Sequence, residues 1–268
     1  MHPSDARSER PVPTDRPDAR RAGLARRLLV EERAVPRAER RALLALAATS
    51  ALLGAALFTT MLVGVRTGGG AALLDQPVMD WFLTLRDAQE TSAMAVLAWI
   101  FGPVGMPIVV LVAGVGWALL ATHLWRPLLL WFGMALGVAT ALILAPIVQH
   151  PRPPVEDMLL HVDRTFSFPS GHVLGAADFL LISAFLLASR LRSPWARAGL
   201  FALAVVGIVV QIYSRLYLGY HWLTDVLGSV GISLMILGLV IAVDTWRTVR
   251  VEGEPVTGPL SMPQRDGT

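Results

Sequence analysis

Long uniform apolar runs, rather than period-two alternation or a narrow helical stripe, dominate the chain. They lie at Ala42–Val65, Val104–Thr122, Pro127–Gln149, Val173–Ser189, Trp195–Tyr213 and Leu223–Val243. Each approaches the ~20 residues that a helix needs to cross hydrocarbon. The pattern predicts an all-α integral membrane bundle of six transmembrane helices, the fourth of them short. Ala93–Phe101, just before Gly102-Pro103, reads either as a kinked extension of the second crossing or as a half-buried hairpin. Between the first two crossings, "DQPVMDWFLTLRD" places Val78, Trp81, Phe82 and Leu85 at helical spacing. That spacing predicts a helix lying on the outer surface with a packing role.

Polar residues set the ends. Residues 1–40 are rich in Arg, Pro, Asp, Glu and Ala and bury too little apolar surface to offset ordering entropy, so they read as a disordered cytoplasmic tail. A helix on anionic lipid over Arg21–Arg41 is the alternative for its second half. The expected division is this tail, a membrane domain over 41–246, and a second disordered cytoplasmic tail over 247–268. The long polar lead and the spanning length of the first run argue against a cleavable signal peptide.

Composition removes several chemistries. The absence of cysteine excludes disulfides, thiolate catalysis and cysteine zinc sites. All 23 basic residues are arginine, and the pI near 10.1 raises the question of nucleic acid. The arginines, however, concentrate in the first 41 residues and on alternate loops, which is how membrane topology is written, and no nucleic-acid partner is expected. With both termini inside, eighteen arginines fall on the cytoplasmic side and five (Arg66, Arg86, Arg152, Arg164 and Arg215) outside. Trp125, Trp195 and Trp246 sit beside the inner charges as interfacial anchors.

Three polar clusters then share the outer face: "HPRPP" after the third crossing, "SFPSGHV" opening the fourth, and "SRLYLGYHWLTD" joining the fifth to the sixth. Charged groups at the hydrocarbon edge are costly unless paired or wetted, so they mark a candidate site. Ser170 is placed to cap a helix; alternatively, its hydroxyl and the free N–H groups of Gly171 and His172 form an anion seat. His221 and Asp225 lie four apart on one helix face. The pair either orients an imidazole as nucleophile or base, or merely stabilises a helix start. Arg152 and Arg215 offer planar forks for phosphate oxygens, or snorkel to headgroups. His150, His161, His172 and His221 are all external, but no metal-ligand spacing joins them, and no metal or cofactor is expected. Asp178, six residues beyond His172, is off that residue's face and reads as structural.

With these residues in hand, the chain resembles the type 2 phosphatidic acid phosphatase superfamily, whose signatures are Lys-x6-Arg-Pro, Pro-Ser-Gly-His, and Ser-Arg-x5-His-x3-Asp. The second stands at 169–172, and the third is complete in Ser214-Arg215, His221 and Asp225. The first keeps Arg152-Pro153 but has Ala145 where the family has lysine, and His150 and Arg164 are the candidates to replace that cation. The resemblance implies a metal-independent lipid phosphatase on the outer face, acting on a phosphomonoester or pyrophosphate such as phosphatidic acid or a prenyl phosphate. It implies His221 as the nucleophile that becomes a phosphohistidine, Asp225 as its orienter and His172 as general acid and base. Arg152, Ser170, Gly171 and Arg215 would bind the phosphate. The lipid phosphate and the membrane are then the partners; oligomeric state is not legible. A catalytically silent relative that binds phospholipid or scaffolds a membrane partner is the alternative, motivated by Ala145. A small transporter draws only on the helix count, and no inverted repeat supports it.

Overall fold

The computed structural model describes residues 27–255 and 260–263. In chain order it contains strand β1 (Val30–Val35), helix α1 (Arg37–Thr67), a 3-10 turn (Gly70–Leu74), α2 (Asp75–Thr84), α3 (Ala88–Ile100), α4 (Gly105–Leu120), α5 (Trp125–Val148), α6 (Gly171–Ala188), α7 (Pro194–Tyr217), α8 (Leu223–Thr248), β2 (Val249–Val251) and β3 (Ser261–Pro263). Five helices, α1 and α5 to α8, are individually long and apolar enough to cross a membrane. The sixth candidate span is a bent pair of helices. α3 and α4 together pass the same test but bend by 57° at their junction. At 16 residues α4 is about 24 Å long, short of the ~30 Å hydrocarbon core. Both readings of Ala93–Phe101, a kinked extension of the second crossing and a half-buried hairpin, accommodate this bend.

α6 and α8 are the most enclosed spans and carry the core, in which Leu174, Ile182, Leu186, Ile232, Val240 and Ile241 pack with Leu130 of α5. Small residues set how closely α8 approaches α1. A Cβ on Gly54 would stand 2.5 Å from the Gly231 carbonyl, and one on Gly238 2.6 Å from the Ala47 carbonyl, so contact here is backbone to backbone. The small face of α8 is thus used inside one bundle: Gly231 and Gly238 meet α1, and Gly228 makes room for the ring of Phe168. Gly137 of α5 similarly leaves space for the buried Asp178 carboxylate, neither of whose oxygens has a hydrogen-bond partner among the described residues.

α2 is present, but its buried face differs from the expected one. Met79 and Phe82 are buried, and Val78 and Leu85 pack beside them, whereas Trp81 is 56% exposed with its ring against Phe82. One helical turn cannot direct both adjacent aromatics inward.

The end of the bundle remote from the motifs also differs from expectation. Val30–Val35, assigned above to a disordered tail, form the central strand of a three-stranded parallel sheet ordered β2-β1-β3, so residues 249–251 and 261–263 are ordered as well. Glu32 explains the docking: it is 3% exposed and accepts from Arg247 at 3.1 Å and from Arg250 at 2.9 and 3.0 Å. Charges read as solvated are here paired across the two ends of the chain. The rest of the first tail, and Arg265, lie outside the described residues. Trp125 donates to Asp244 at 2.8 Å, while Trp195 and Trp246 are exposed beside the same end.

Candidate active site

The three clusters meet at the other end of the bundle. Gln149 ends α5 in the left-handed conformation, φ 54°, and turns the chain so that His150 and Arg152 point back over α8. α7 runs four residues beyond its last predicted residue, which puts Arg215 in its final turn rather than in a loop. Gly219, at φ 78°, then reverses the chain; a Cβ there would collide with the Asp157 carbonyl, so only glycine lets His221 return to the site. Tyr217 and Tyr220 pin the turn. The Tyr217 hydroxyl receives Asp87 N–H at 2.8 Å, and the Tyr220 hydroxyl receives His161 N–H at 2.6 Å.

Asp225, wholly buried in the first turn of α8, is the hub. Its Oδ2 accepts from Trp222 N–H at 2.8 Å, takes a short hydrogen bond from the Ser167 hydroxyl, and lies 3.5 Å from His221 Nδ1. Its Oδ1 lies 2.8 Å from His150 Nδ1. An ionised carboxylate only accepts, so His221 carries its proton on Nδ1 and keeps a lone pair on Nε2. Arg152 Nη1 stands 3.2 Å from that Nε2 and donates to the Tyr220 carbonyl at 2.7 Å. Burial, opposed by the hydrogen bond to Asp225 and assisted by the charge of Arg152, pushes His221 down to about 4. The ring is therefore neutral, the form that can attack, at any pH well above that value.

A pH dependence follows from that depression. Between about 4 and the ordinary histidine value near 6.5, the unfolded chain binds a proton at this position and the folded chain does not. The contribution of His221 to stability is thus present above that window and is lost as pH falls through it. In protein labelled with ¹⁵N-histidine, the His221 signals are expected to titrate near pH 4; a midpoint near 6.5 contradicts the described environment.

Arg152 is held on its far side by Asp163, 2.9 Å from Nη2, and by the Thr165 hydroxyl at 3.0 Å. Burial alone would raise the Asp163 carboxyl, but Thr165 and Arg152 outweigh it and hold it below the usual carboxylate range. Arg215 is bound differently. It is 3% exposed, its guanidinium stacks 4.7 Å from the centre of the Tyr220 ring, and its Nε has no hydrogen-bond partner among the described residues. Ser170 is buried and its hydroxyl accepts from Val173 N–H at 3.5 Å, so it does cap α6.

His172 sits against the Ala98 backbone, in the angle between α3 and α4. A Cβ on Gly102 would lie 3.2 Å from its Nε2, so the bent pair leaves the room this imidazole occupies. His172, His221, Arg152 and Arg215 are near enough for their charges to act on one another. Gly171 is exposed, and a Cβ on it would meet nothing within 4 Å. Open space therefore fronts the N-terminus of α6, where backbone N–H groups and the helix dipole favour an anion.

Several contributors lay outside the sequence reading. Ser167 shares Asp225; its only signal was its place two residues before the Pro-Ser-Gly-His run. Asp75 of α2 accepts from Thr224 N–H at 2.9 Å and from its hydroxyl at 2.8 Å, fixing the start of α8, although burial pushes its carboxyl up. An acidic residue opening a short apolar helix was the available signal. Among the described residues no three His, Cys, Asp or Glu side chains cluster as a metal site would require.

The family model for the PAP2 superfamily matches residues 126–248, which contain α5 to α8 and every residue of the three clusters. YbjG of Escherichia coli (strain K12), provisionally named an undecaprenyl-diphosphatase, is 34% identical over 143 residues, covering 49% of this chain and 67% of that protein. The chain belongs to the PAP2 superfamily. Phosphatidylglycerophosphatase B of Bacillus subtilis (strain 168) is 38% identical over 88 residues, 32% of this chain; the match spans only 42% of that relative. Among solved structures, the transmembrane PAP2 type phosphatidylglycerolphosphate phosphatase from Bacillus subtilis has a TM-score of 0.63 at 24% identity, over 72% of this chain and 96% of that one. This likeness shows the shared PAP2 fold. Against the PAP2 pattern, Ala145 stands half-buried in the last turn of α5 with no cation to offer. Neither expected replacement fills the gap in this arrangement: His150 turns its Nδ1 to Asp225, and Arg164 is exposed on the loop.

Proposed function

We propose that this PAP2 protein is a membrane lipid phosphatase that works through a phosphohistidine at His221 and needs no metal. The observation that carries the reading is Arg215. A buried guanidinium without a carboxylate partner among the described residues leaves a large desolvation cost unanswered, and the arrangement is completed by an anion. The names of the relatives, which act on phosphorylated lipids, and the position of the site at the end of a membrane bundle both support a lipid phosphate as that anion.

In the first step His221 Nε2 attacks phosphorus, the bond from phosphorus to the lipid oxygen breaks, and His172 gives its proton to that oxygen. In the second, water attacks the phosphohistidine, His172 takes the water proton, the nitrogen–phosphorus bond breaks, and inorganic phosphate leaves. Arg152, Arg215 and the amide N–H groups at Gly171 and His172 stabilise the equatorial oxygens, since positioning and charge stabilisation are most of phosphoryl-transfer catalysis. The excess of arginine at the opposite end supports a site on the outer face, with both termini in the cytoplasm. Phosphatidic acid, phosphatidylglycerol phosphate and prenyl phosphates fit the same clamp; lacking a cation at 145, the site favours a monoester over the more highly charged pyrophosphate.

Purified protein in detergent, with chelator present, is expected to release phosphate from a panel of these lipids, monoesters faster than pyrophosphates. Release from none of them, or release only with added divalent metal, contradicts the reading. A local substitution isolates the anion seat. Gly171→Ala introduces a Cβ that touches no protein atom at the first position of α6, where it restricts the unfolded chain without straining the helix. Melting temperature is expected to hold or rise while KM for the lipid phosphate increases at least about tenfold; unchanged KM removes Gly171 from the seat.

A further inference from the structure

Two imidazoles bear on Asp225, and the second belongs to neither complete motif. His150 Nδ1 is the sole side-chain donor on Oδ1 among the described residues, while Ser167, Trp222 N–H and His221 all address Oδ2. The His150 side chain is 14% exposed and Asp225 is wholly buried, so water has little access to replace this contact. A terminal carboxylate torsion has a broad, two-fold profile, which means that the partners of both oxygens set the plane of the group. We propose that His150 is a positioning residue that fixes, through Asp225, the orientation and the Nδ1 proton of His221. The inference rests on the reading of His221 as nucleophile.

The short segment His150-Pro151-Arg152 would then control both nitrogens of that ring. Arg152 meets Nε2 directly at 3.2 Å, and His150 governs Nδ1 from the far side of the carboxylate. Pro151 stiffens the link between the two, and its carbonyl accepts from the Trp222 indole at 2.9 Å, tying the segment to the turn that carries His221. His150 is thereby drawn away from the phosphate clamp. What the chain lacks at 145 in direct charge on the substrate is not restored by this residue; its contribution is to the geometry of the attacking ring.

The test uses the full chain in detergent, with His150→Ala and His150→Asn. The asparagine amide nitrogen can occupy the place of Nδ1 and donate the same hydrogen bond. For lipid phosphate turnover, His150→Ala is expected to lower kcat by about 10- to 100-fold, as loss of an outer orienting partner does elsewhere. KM should stay within about twofold, and His150→Asn should recover most of kcat. In ¹⁵N-histidine spectra of the resting protein, the His221 nitrogens, assigned with His221→Gln, should move toward a mixed tautomer in His150→Ala and return in His150→Asn. If His150→Ala does not fold, Asn against Gln reads the same contrast, because the glutamine amide extends past the Nδ1 position. Unmoved His221 signals, equal impairment of the rescuing and non-rescuing variants, or a rise in KM with kcat intact overturns the proposal. The spectra need no turnover, so a wild type that hydrolyses no lipid phosphate refutes the phosphatase reading separately.

Discussion

His221→Gln is expected to lower kcat for a lipid phosphate on the order of 10⁵-fold, the scale seen when an enzyme loses its covalent nucleophile. Glutamine retains an amide near the Nε2 position, so a contact to Arg152 can persist, while the contact of Nδ1 to Asp225 is lost. What it lacks is a lone pair able to bond to phosphorus and leave again. The ring is 2% exposed and lies in the turn between α7 and α8, outside the packed middle of the bundle. Melting temperature should therefore change by only a few degrees, and a variant that is folded yet inactive is the informative result. Comparable turnover in this variant would leave the account without its nucleophile.

Arg215→Met carries the second large effect, with activity and stability moving in opposite directions. Removing one cation from the transition-state clamp costs on the order of 10²- to 10³-fold in kcat. The same substitution removes a buried charge whose Nε has no hydrogen-bond partner among the described residues and puts a flexible apolar side chain against Tyr220. Such replacements are often neutral or stabilising. The expected outcome is a melting temperature equal to or above that of the wild type together with lost turnover. A strongly destabilised but otherwise active protein would make Arg215 a structural residue and would remove the observation on which the anion site rests.

The spans were legible because hydrocarbon imposes one simple demand, about twenty apolar residues in sequence, and each of the six runs appears as a single helix, five of them long enough to span alone. The site residues were legible because their spacing within each cluster is local. What escaped the sequence depends on contacts between distant segments. The break at Phe101–Val104 looks like an ordinary Gly-Pro interruption until His172, some seventy residues later, is seen to occupy the angle it creates. Ser167 carried no reading and His150 looked like a spare cation because nothing local says that both face Asp225. The strand at Val30–Val35 was hidden for the opposite reason. Its composition is that of a solvated tail, and pairing of Glu32 with Arg247 and Arg250 from the far end of the chain helps make its burial tolerable.

The measurement nearest the centre of this account is a rapid-quench trapping experiment with ³²P-labelled lipid phosphate in the presence of chelator. The account predicts an acid-labile, base-stable phosphoramidate that maps to the peptide containing His221, forms at least as fast as turnover, and is absent from His221→Gln. Steady turnover with no such adduct, or an adduct on any other side chain, would contradict it.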